Sequence, residues 1–304
     1  MRARPLIAAL LVPALFGIAV ARGEAAGGDT FRTDSALVLV NVSVLGPHDQ
    51  PVTTLPRESF RVLDNGKEQD IRFFAHEETA ISLAIILDAS GSMKPYWTRA
   101  QSMLTRLCDL LEPRDELFLI AVHQHVELLI DAGSGCNNLA SRLAATEPHG
   151  MTALLDAIPL ATAKLRQARN PRHAVLAISD GGENASRVRL SELRRQVVEA
   201  NAQIYSATVN LLTDNYVNTY ELRGPELLAE FAALTGGRTF AIDDRRAIPT
   251  VALALARELH DQYVLGYQSP EPAGSGKRHR IAVKVQRDAA APRLTLFHRS
   301  SYVD

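Results

Sequence analysis

The stretch Ile81–Met93, "ISLAIILDASGSM", decides how the rest of the chain is read. It begins with an unbroken apolar run, short and rich in Ile and Leu, as expected of a central strand buried on both faces. The run ends abruptly in Asp88, Ser90 and Ser92, three short oxygen-bearing side chains at alternate positions. This spacing predicts that the oxygens converge on something, and what they hold decides the function.

From Ile81 onward the chain alternates strand and helix. "YWTRAQSMLTRLCDLL" has helical spacing and stops before Pro113, and "DELFLIAVH" and "VELLI" are two strands so closely connected that they read as an antiparallel edge pair. "TALLDAIPLATAKLRQA" is a helix in which Pro159 predicts a kink. "HAVLAIS" is a second buried strand, followed by the helix "LSELRRQVVEAN", the strand "QIYSATV", the helix "PELLAEFAALTGG" and the strand "RTFAI". Such alternation predicts an α/β fold, a doubly wound and mainly parallel sheet with helices on both faces.

The flanks differ in character. "SALVLVNVSVLG" alternates like a half-buried strand, and "SFRVLDNGKEQDIRFF" reads as two strands turned at Asp64, Asn65 and Gly66. At the other end "DQYVLGYQ", "RHRIAVKVQ" and "RLTLFHR" read as three further strands. We therefore expect a β section over 34–78, the α/β domain over 80–260, and a second β section over 261–304 that packs with the first into a small β module. Residues 1–25 read as a signal peptide, with Arg2 and Arg4 before the apolar stretch Leu6–Val20 and small residues after it. Pro13 and the length of the stretch favour removal over anchoring, and nothing later is apolar for long enough to span a bilayer. The mature chain is expected to be secreted or periplasmic. An oxidising compartment permits a Cys108–Cys136 bridge, the alternative being a buried Cys108 and a free Cys136.

The 304 residues carry a formal charge of -1 and only five lysines, which argues against nucleic acid as a partner. The basic groups "RVRLSELRR" and "KRHR" read as a solvated helix face and a hairpin.

In an open parallel sheet, ligands bind at the carboxyl ends of strands near the reversal of strand order. Asp88–Ser92 stands at such an end, and so does Asp180, which follows "HAVLAIS" directly; Thr152 opens a helix after the loop at Gly150. If the strands of Asp88 and Asp180 are neighbours, Asp88, Ser90, Ser92, Thr152 and Asp180 meet at one edge. Oxygen ligands without imidazole or thiolate favour Mg²⁺, with Mn²⁺ or Ca²⁺ as replacements. Two carboxylates and three hydroxyls leave such an ion electrophilic, so a partner's Asp or Glu would complete its shell.

"DASGSM", the threonine of "HGMTALLDA" and "SDGGEN", in that order, resemble the metal-ion-dependent adhesion site of von Willebrand factor type A domains. The likeness covers about residues 80–260, and the strand-rich flanks are similar to a secreted bacterial group of such proteins. The resemblance implies a metal held by Asp88, Ser90 and Ser92, then Thr152, then Asp180, and a protein ligand that presents an acidic side chain. Met151 departs from the pattern, which often has glycine there.

Competing readings exist for each motif. "DASGS" alone fits a helix cap. A hydrolase would need G-x-S-x-G, and Asp88 stands where its first glycine belongs, so no catalytic residue is expected. His123 and His125 in "HQH" are too few for zinc and read as an exposed strand end. "DNGKEQD" lacks the acidic alternation of a calcium loop. The expected function is metal-dependent protein binding in adhesion or assembly; the alternative is an assembly component whose metal only stabilises the fold.

Overall fold

A computed structural model of the chain describes residues 37–76, 79–134, 136–209, 224–272, 274–287 and 291–304. The expected signal peptide lies outside the described residues.

Four strands come first: Leu37–Leu45 (β1), Phe60–Asp64 (β2), Lys67–Gln69 (β3) and Phe73–His76 (β4). The α/β part follows with Ile81–Asp88 (β5), Trp97–Cys108 (α1), Glu116–Val122 (β6), Val126–Ser134 (β7), Leu139–Ala145 (α2), Leu154–Leu165 (α3), Arg172–Ser179 (β8) and Leu190–Glu199 (α4). It continues through Gln203–Thr208 (β9), Gly224–Thr235 (α5), Thr239–Ala241 (β10) and Ile248–His260 (α6). The last strands are Tyr263–Gln268 (β11), Arg278–Val285 (β12), Thr295–His298 (β13) and Ser301–Val303 (β14).

The apolar run that opens the domain is β5, buried at all eight positions because it lies inside a six-stranded sheet of order β10-β9-β8-β5-β6-β7. All pairs are parallel except β6 with the edge strand β7, as the short connection between them requires. Successive β5 residues feed two separate cores. Ile81, Leu83, Ile85 and Leu87 pack with residues of α1, α2 and α6, whereas Ala84 and Ile86 pack with those of α3, α4 and α5. Each fully buried Leu or Ile contributes about 1.5–3 kcal/mol. After β5 the chain winds outward through β6 and β7, then returns by α3 to β8 on the other side. The neighbours β5 and β8 thus send α1 and α4 to opposite faces, and the crevice between their carboxyl ends is the place where a doubly wound sheet binds ligands.

The two chain flanks make two antiparallel sheets, β13-β1-β11-β4 and β14-β12-β2-β3. Alternate residues of β1, namely Val38, Val40, Val42 and Val44, join Leu265 and Tyr267 of β11, and Phe60, Val62, Ile281 and Val283 of the second sheet, in one core. The β module is therefore built from both flanks.

Several local expectations need correction. "SFRVLDNGKEQDIRFF" contains three strands: Asn65 and Gly66, with φ of 48° and 81°, turn β2 into β3, but β3 stops at Gln69 and β4 crosses to the other sheet. The tail supplies four strands rather than three, and α2 has no counterpart in the sequence reading. His123 and His125 lie in the turn that follows β6, at the strand end expected of them, His125 exposed and His123 half-buried. The helix expected to contain Pro159 is α3, with Pro159 inside its 12 residues. Cys108, the last residue of α1, is bridged to Cys136 with Cα atoms 5.8 Å apart, which closes the question left open by the sequence.

Arg238 stands where the α/β part meets the module. Its guanidinium lies over the rings of Phe240 at 4.4 Å and Phe297 at 5.6 Å, reaches Asp49 at 3.3 Å, and contacts Glu258 of α6 at 2.8 Å. Glu258 is only 3% exposed. Arg238 Nε and Glu258 Oε1 touch off the hydrogen-bonding line, and Oε2 has no donor among the described residues. Burial pushes this carboxyl up to about 7, with Arg238 only partly offsetting it.

Candidate functional site

Asp88 closes β5 and Ser179 closes β8, so the pairing of these strands sets the two residues side by side. Asp88 is fully buried. Its Oδ1 accepts the Ser90 backbone N–H at 2.9 Å and its Oδ2 accepts the Ser179 hydroxyl at 2.6 Å. Burial pushes the carboxyl up to about 6; the hydrogen bond from Ser179 opposes this and the nearby Asp180 charge adds to it. The carboxylate is thereby fixed in orientation, and it lies within the field of a second carboxylate.

The three loops of the site are laced to one another by backbone bonds. Ala89 N–H donates to Val122 O, His149 N–H to Ala89 O, and Gly91 N–H to Gly150 O, which joins the Asp88 loop to β6 and to the Thr152 loop. Asn184 Oδ1 accepts Thr152 N–H at 2.8 Å while the N–H groups of Asn184 and Ala185 donate to Thr152 O, so the loop after Asp180 clamps Thr152 from both sides. The same loop caps α3, since Glu183 Oε2 and Ser186 Oγ both accept Leu155 N–H. These bonds satisfy donors that a helix start leaves open. Gly181, with φ of 92°, lets the chain turn here against Pro225, where any side chain would collide.

The hydroxyls and the second carboxylate converge. Ser90 Oγ and Ser92 Oγ are 3.0 Å apart. A methyl group built on Gly182 would stand 3.4 Å from Asp180 Oδ1, 3.4 Å from Thr152 Oγ1 and 3.7 Å from Ser92 Oγ. Three predicted residues therefore face one small space that only the missing side chain of Gly182 keeps open, and Ser90 joins them through Ser92. Ser90 and Thr152 are buried, Ser92 exposed and Asp180 intermediate, so the group is embedded below and open above. The donor set consists of two carboxylates and three hydroxyls, which fits a hard divalent cation. Met151 points outward, 51% exposed, and leaves the Thr152 backbone undisturbed.

Sequence reasoning missed Ser179, Asn184, Gly182 and Glu183. The first two act behind or beside the predicted residues, and nothing in their local pattern marks them. Gly182 was visible in "SDGGEN", but only the geometry gives its space a role. Among the described residues no imidazole hydrogen-bonds Ser90 or Ser92; the nearby His123 and His149 bond main-chain carbonyls instead.

Residues 83–183 match the family described as von Willebrand factor type A domain. Curated protein sequences give no match. Among solved structures, a von Willebrand factor type A protein from Catenulispora acidiphila is similar at 11% identity and a TM-score of 0.50, over 88% of this chain and 74% of that one. The conserved hypothetical protein BatB from Bacteroides thetaiotaomicron is similar at 18% identity, TM-score 0.46, over 59% of this chain and 98% of that one. The manganese-loaded TRAP protein of Plasmodium vivax gives 14%, 0.47, and 79% and 98%.

Proposed function

We propose, from the premise that residues 83–183 belong to a von Willebrand factor type A domain, that this chain is a protein-binding module whose crevice holds a divalent cation and through it recruits an acidic side chain of a partner. Domains of this kind are protein-interaction modules, some of them metal-dependent. The observation that carries the finer reading is the convergence of Asp180, Thr152 and Ser92 on the space beside Gly182, next to the oriented carboxylate of Asp88. Asp88, Ser90, Ser92, Thr152 and Asp180 would hold the ion, Mg²⁺ first and Mn²⁺ or Ca²⁺ in its place.

A bound cation supplies an electrophilic position open to an outside carboxylate. The protein's own groups do the rest. Ser179 and the Ser90 backbone hold Asp88, Asn184 holds Thr152, and the hydroxyls give dipoles in place of charge, so formal neutrality is reached with two carboxylates only. We assign no catalytic residue.

Export is part of the same proposal: residues 1–25 would be removed and the mature chain would work outside the cytoplasm. The Cys108–Cys136 bridge supports that placement, since such bonds persist in oxidising compartments. No helix among the described residues is long and apolar enough to cross a membrane.

The test is calorimetric titration of the purified protein with Mg²⁺ and Mn²⁺, beside Asp88→Ala and Thr152→Ala, followed by binding of an acidic peptide with and without EDTA. Saturable metal binding lost in both variants, with EDTA-sensitive peptide capture, is the expected result. Equal metal binding by wild type and variants would end the proposal. Metal binding without peptide capture, and a melting temperature that falls on chelation, would replace it with a purely structural ion.

A further inference from the structure

The last three residues of "KRHR" open β12, far from the oxygen site in the sequence and on the β module. Side chains alternate along a strand, so His279, Ile281 and Val283 are buried toward the module core, whereas Arg278, Arg280, Ala282 and Lys284 share the opposite face. The neighbouring β2 sets Leu63 beside Ala282 and Arg61 beside Lys284. On β3, Glu68 stands across from Leu63, and Arg61 already engages it at 3.0 Å. Arg278 reaches the Ser301 hydroxyl at 3.2 Å. The side chains of Arg280 and Lys284 are exposed and meet no carboxylate among the described residues. A chain with a formal charge of -1 thus gathers unpaired cations on one sheet face.

These cations form a line, not a cluster. At about 3.3 Å per residue, Arg278, Arg280 and Lys284 are spread over about 20 Å, so one compact anion cannot meet all three. They border a groove of about 860 Å³ whose lining includes Leu63, Ala282, Asn65 and Ser300. Asn65 is fixed there, because its Oδ1 accepts the Arg280 backbone N–H at 3.1 Å. Shape and chemistry narrow the occupant. A concave surface fits a chain better than a lipid plane. No Phe, Tyr or Trp lines the groove, so nucleic-acid bases find nothing to stack on. It lies on a sheet face whose backbone groups are paired with β14 and β2, so an acidic peptide finds no strand edge to extend. Small apolar side chains between the cations, with an amide and a hydroxyl at hand, suit sugar rings, and the planar fork of Arg matches a carboxylate at two points. We propose that this face of the β module binds a linear anionic polysaccharide whose carboxylates meet Arg278, Arg280 and Lys284 along the strand. The face shares no residue with the oxygen site and needs no metal.

The test titrates the purified protein calorimetrically, in EDTA and at low salt, with an oligogalacturonate long enough to span the stripe; its methyl ester is the uncharged control. Wild type is expected to bind the acid form and not the ester, with an affinity that falls as salt is raised. Arg280→Ala/Lys284→Ala should weaken binding about tenfold, the value of two partly exposed ion pairs. Both side chains are exposed, so its melting temperature should stay at the wild-type value. Arg187→Ala/Arg189→Ala removes equal charge from exposed positions of the other basic group and should bind as wild type does. The proposal is overturned if wild type does not bind, or if Arg280→Ala/Lys284→Ala binds as tightly as wild type. Equal weakening in Arg187→Ala/Arg189→Ala would also overturn it, by showing attraction to net charge alone. So would single-stranded DNA or vesicles of anionic phospholipid that displace the sugar and bind more tightly, by pointing to another partner. EDTA strips any cation from the oxygen site, so failure here leaves the Mg²⁺ titration above untouched.

Discussion

Glu258→Gln gives a sharp test of the junction between the α/β part and the β module. Glu258 is nearly inaccessible, its Oε2 lacks a donor, and burial outweighs Arg238 so that the carboxyl is pushed up from 4.5 to about 7. A raised carboxyl binds its proton more tightly in the folded than in the unfolded chain. Its contribution to stability is therefore full below the unfolded value and fades as pH rises through the folded value. Between pH 5 and pH 8 the wild type should lose about 2–3 kcal/mol through this one group, at about 1.4 kcal/mol per pH unit over the span between the two values. The glutamine variant cannot titrate there. Urea unfolding of both proteins at the two pH values gives a double difference in which shared contributions cancel, including those of His260 and His279, which are common to both chains. The expected result is that the variant's stability declines by about 2–3 kcal/mol less than that of wild type. Parallel pH dependence in the two proteins would show that Glu258 is ionised at ordinary cost and that Arg238 neutralises it in full.

Three other outcomes are expected. Gly182→Ala should fold normally, because its new methyl meets its neighbours at ordinary contact distance, and should weaken Mg²⁺ binding in the same titration because it fills the space between Asp180 and Thr152. Cys108→Ala/Cys136→Ala should lower unfolding free energy by about 3–4 kcal/mol, the loop-closure value for its 28-residue separation, as measured by urea denaturation. A chain beginning at residue 80 should aggregate or bind a hydrophobic dye, because loss of β1 and β2 uncovers Tyr263, Leu265 and Tyr267; unchanged melting temperature and solubility would contradict the shared core.

Much of this was legible in the sequence, and the reasons differ by element. The central strands announced themselves as continuous apolar runs because both faces of the sheet are covered, and their alternation with helical spacing gave the fold class. The places of Asp88 and Asp180 were legible because one closes a central strand and the other directly follows one, whereas the approach of Ser92 and Thr152 to Asp180 rests on loop contacts that clamp Thr152. What escaped depends on partners distant in sequence. Ser179 looks like the polar end of any strand until Asp88 is beside it. His149 gains its neighbour only when the loop before α3 folds over the turn after β6. Arg238 and Glu258 look like surface charges on either side of a helix. The turn at Asn65 and Gly66 was read correctly, but the reading of 59–74 as two strands fell short because the residues of β4 do not reveal that a third strand follows β3 or which of two sheets it joins.

The β module also constrains the order in which the molecule is made. Its register pairs Leu37 with Gln268 and Phe60 with Val285, partners separated by more than two hundred residues. A chain emerging amino end first presents β1 and β4 long before their partners exist, and β2 with only its hairpin neighbour β3, whereas the strands from β5 to β10 find theirs within the intervening segment. Such remote pairings are slow to form. The α/β domain therefore matures first, and its last helix, α6, delivers the late strand β11 between β1 and β4. Premature termination shortly after His260 would leave the α/β part trailing β1 and β4 with no strand between them.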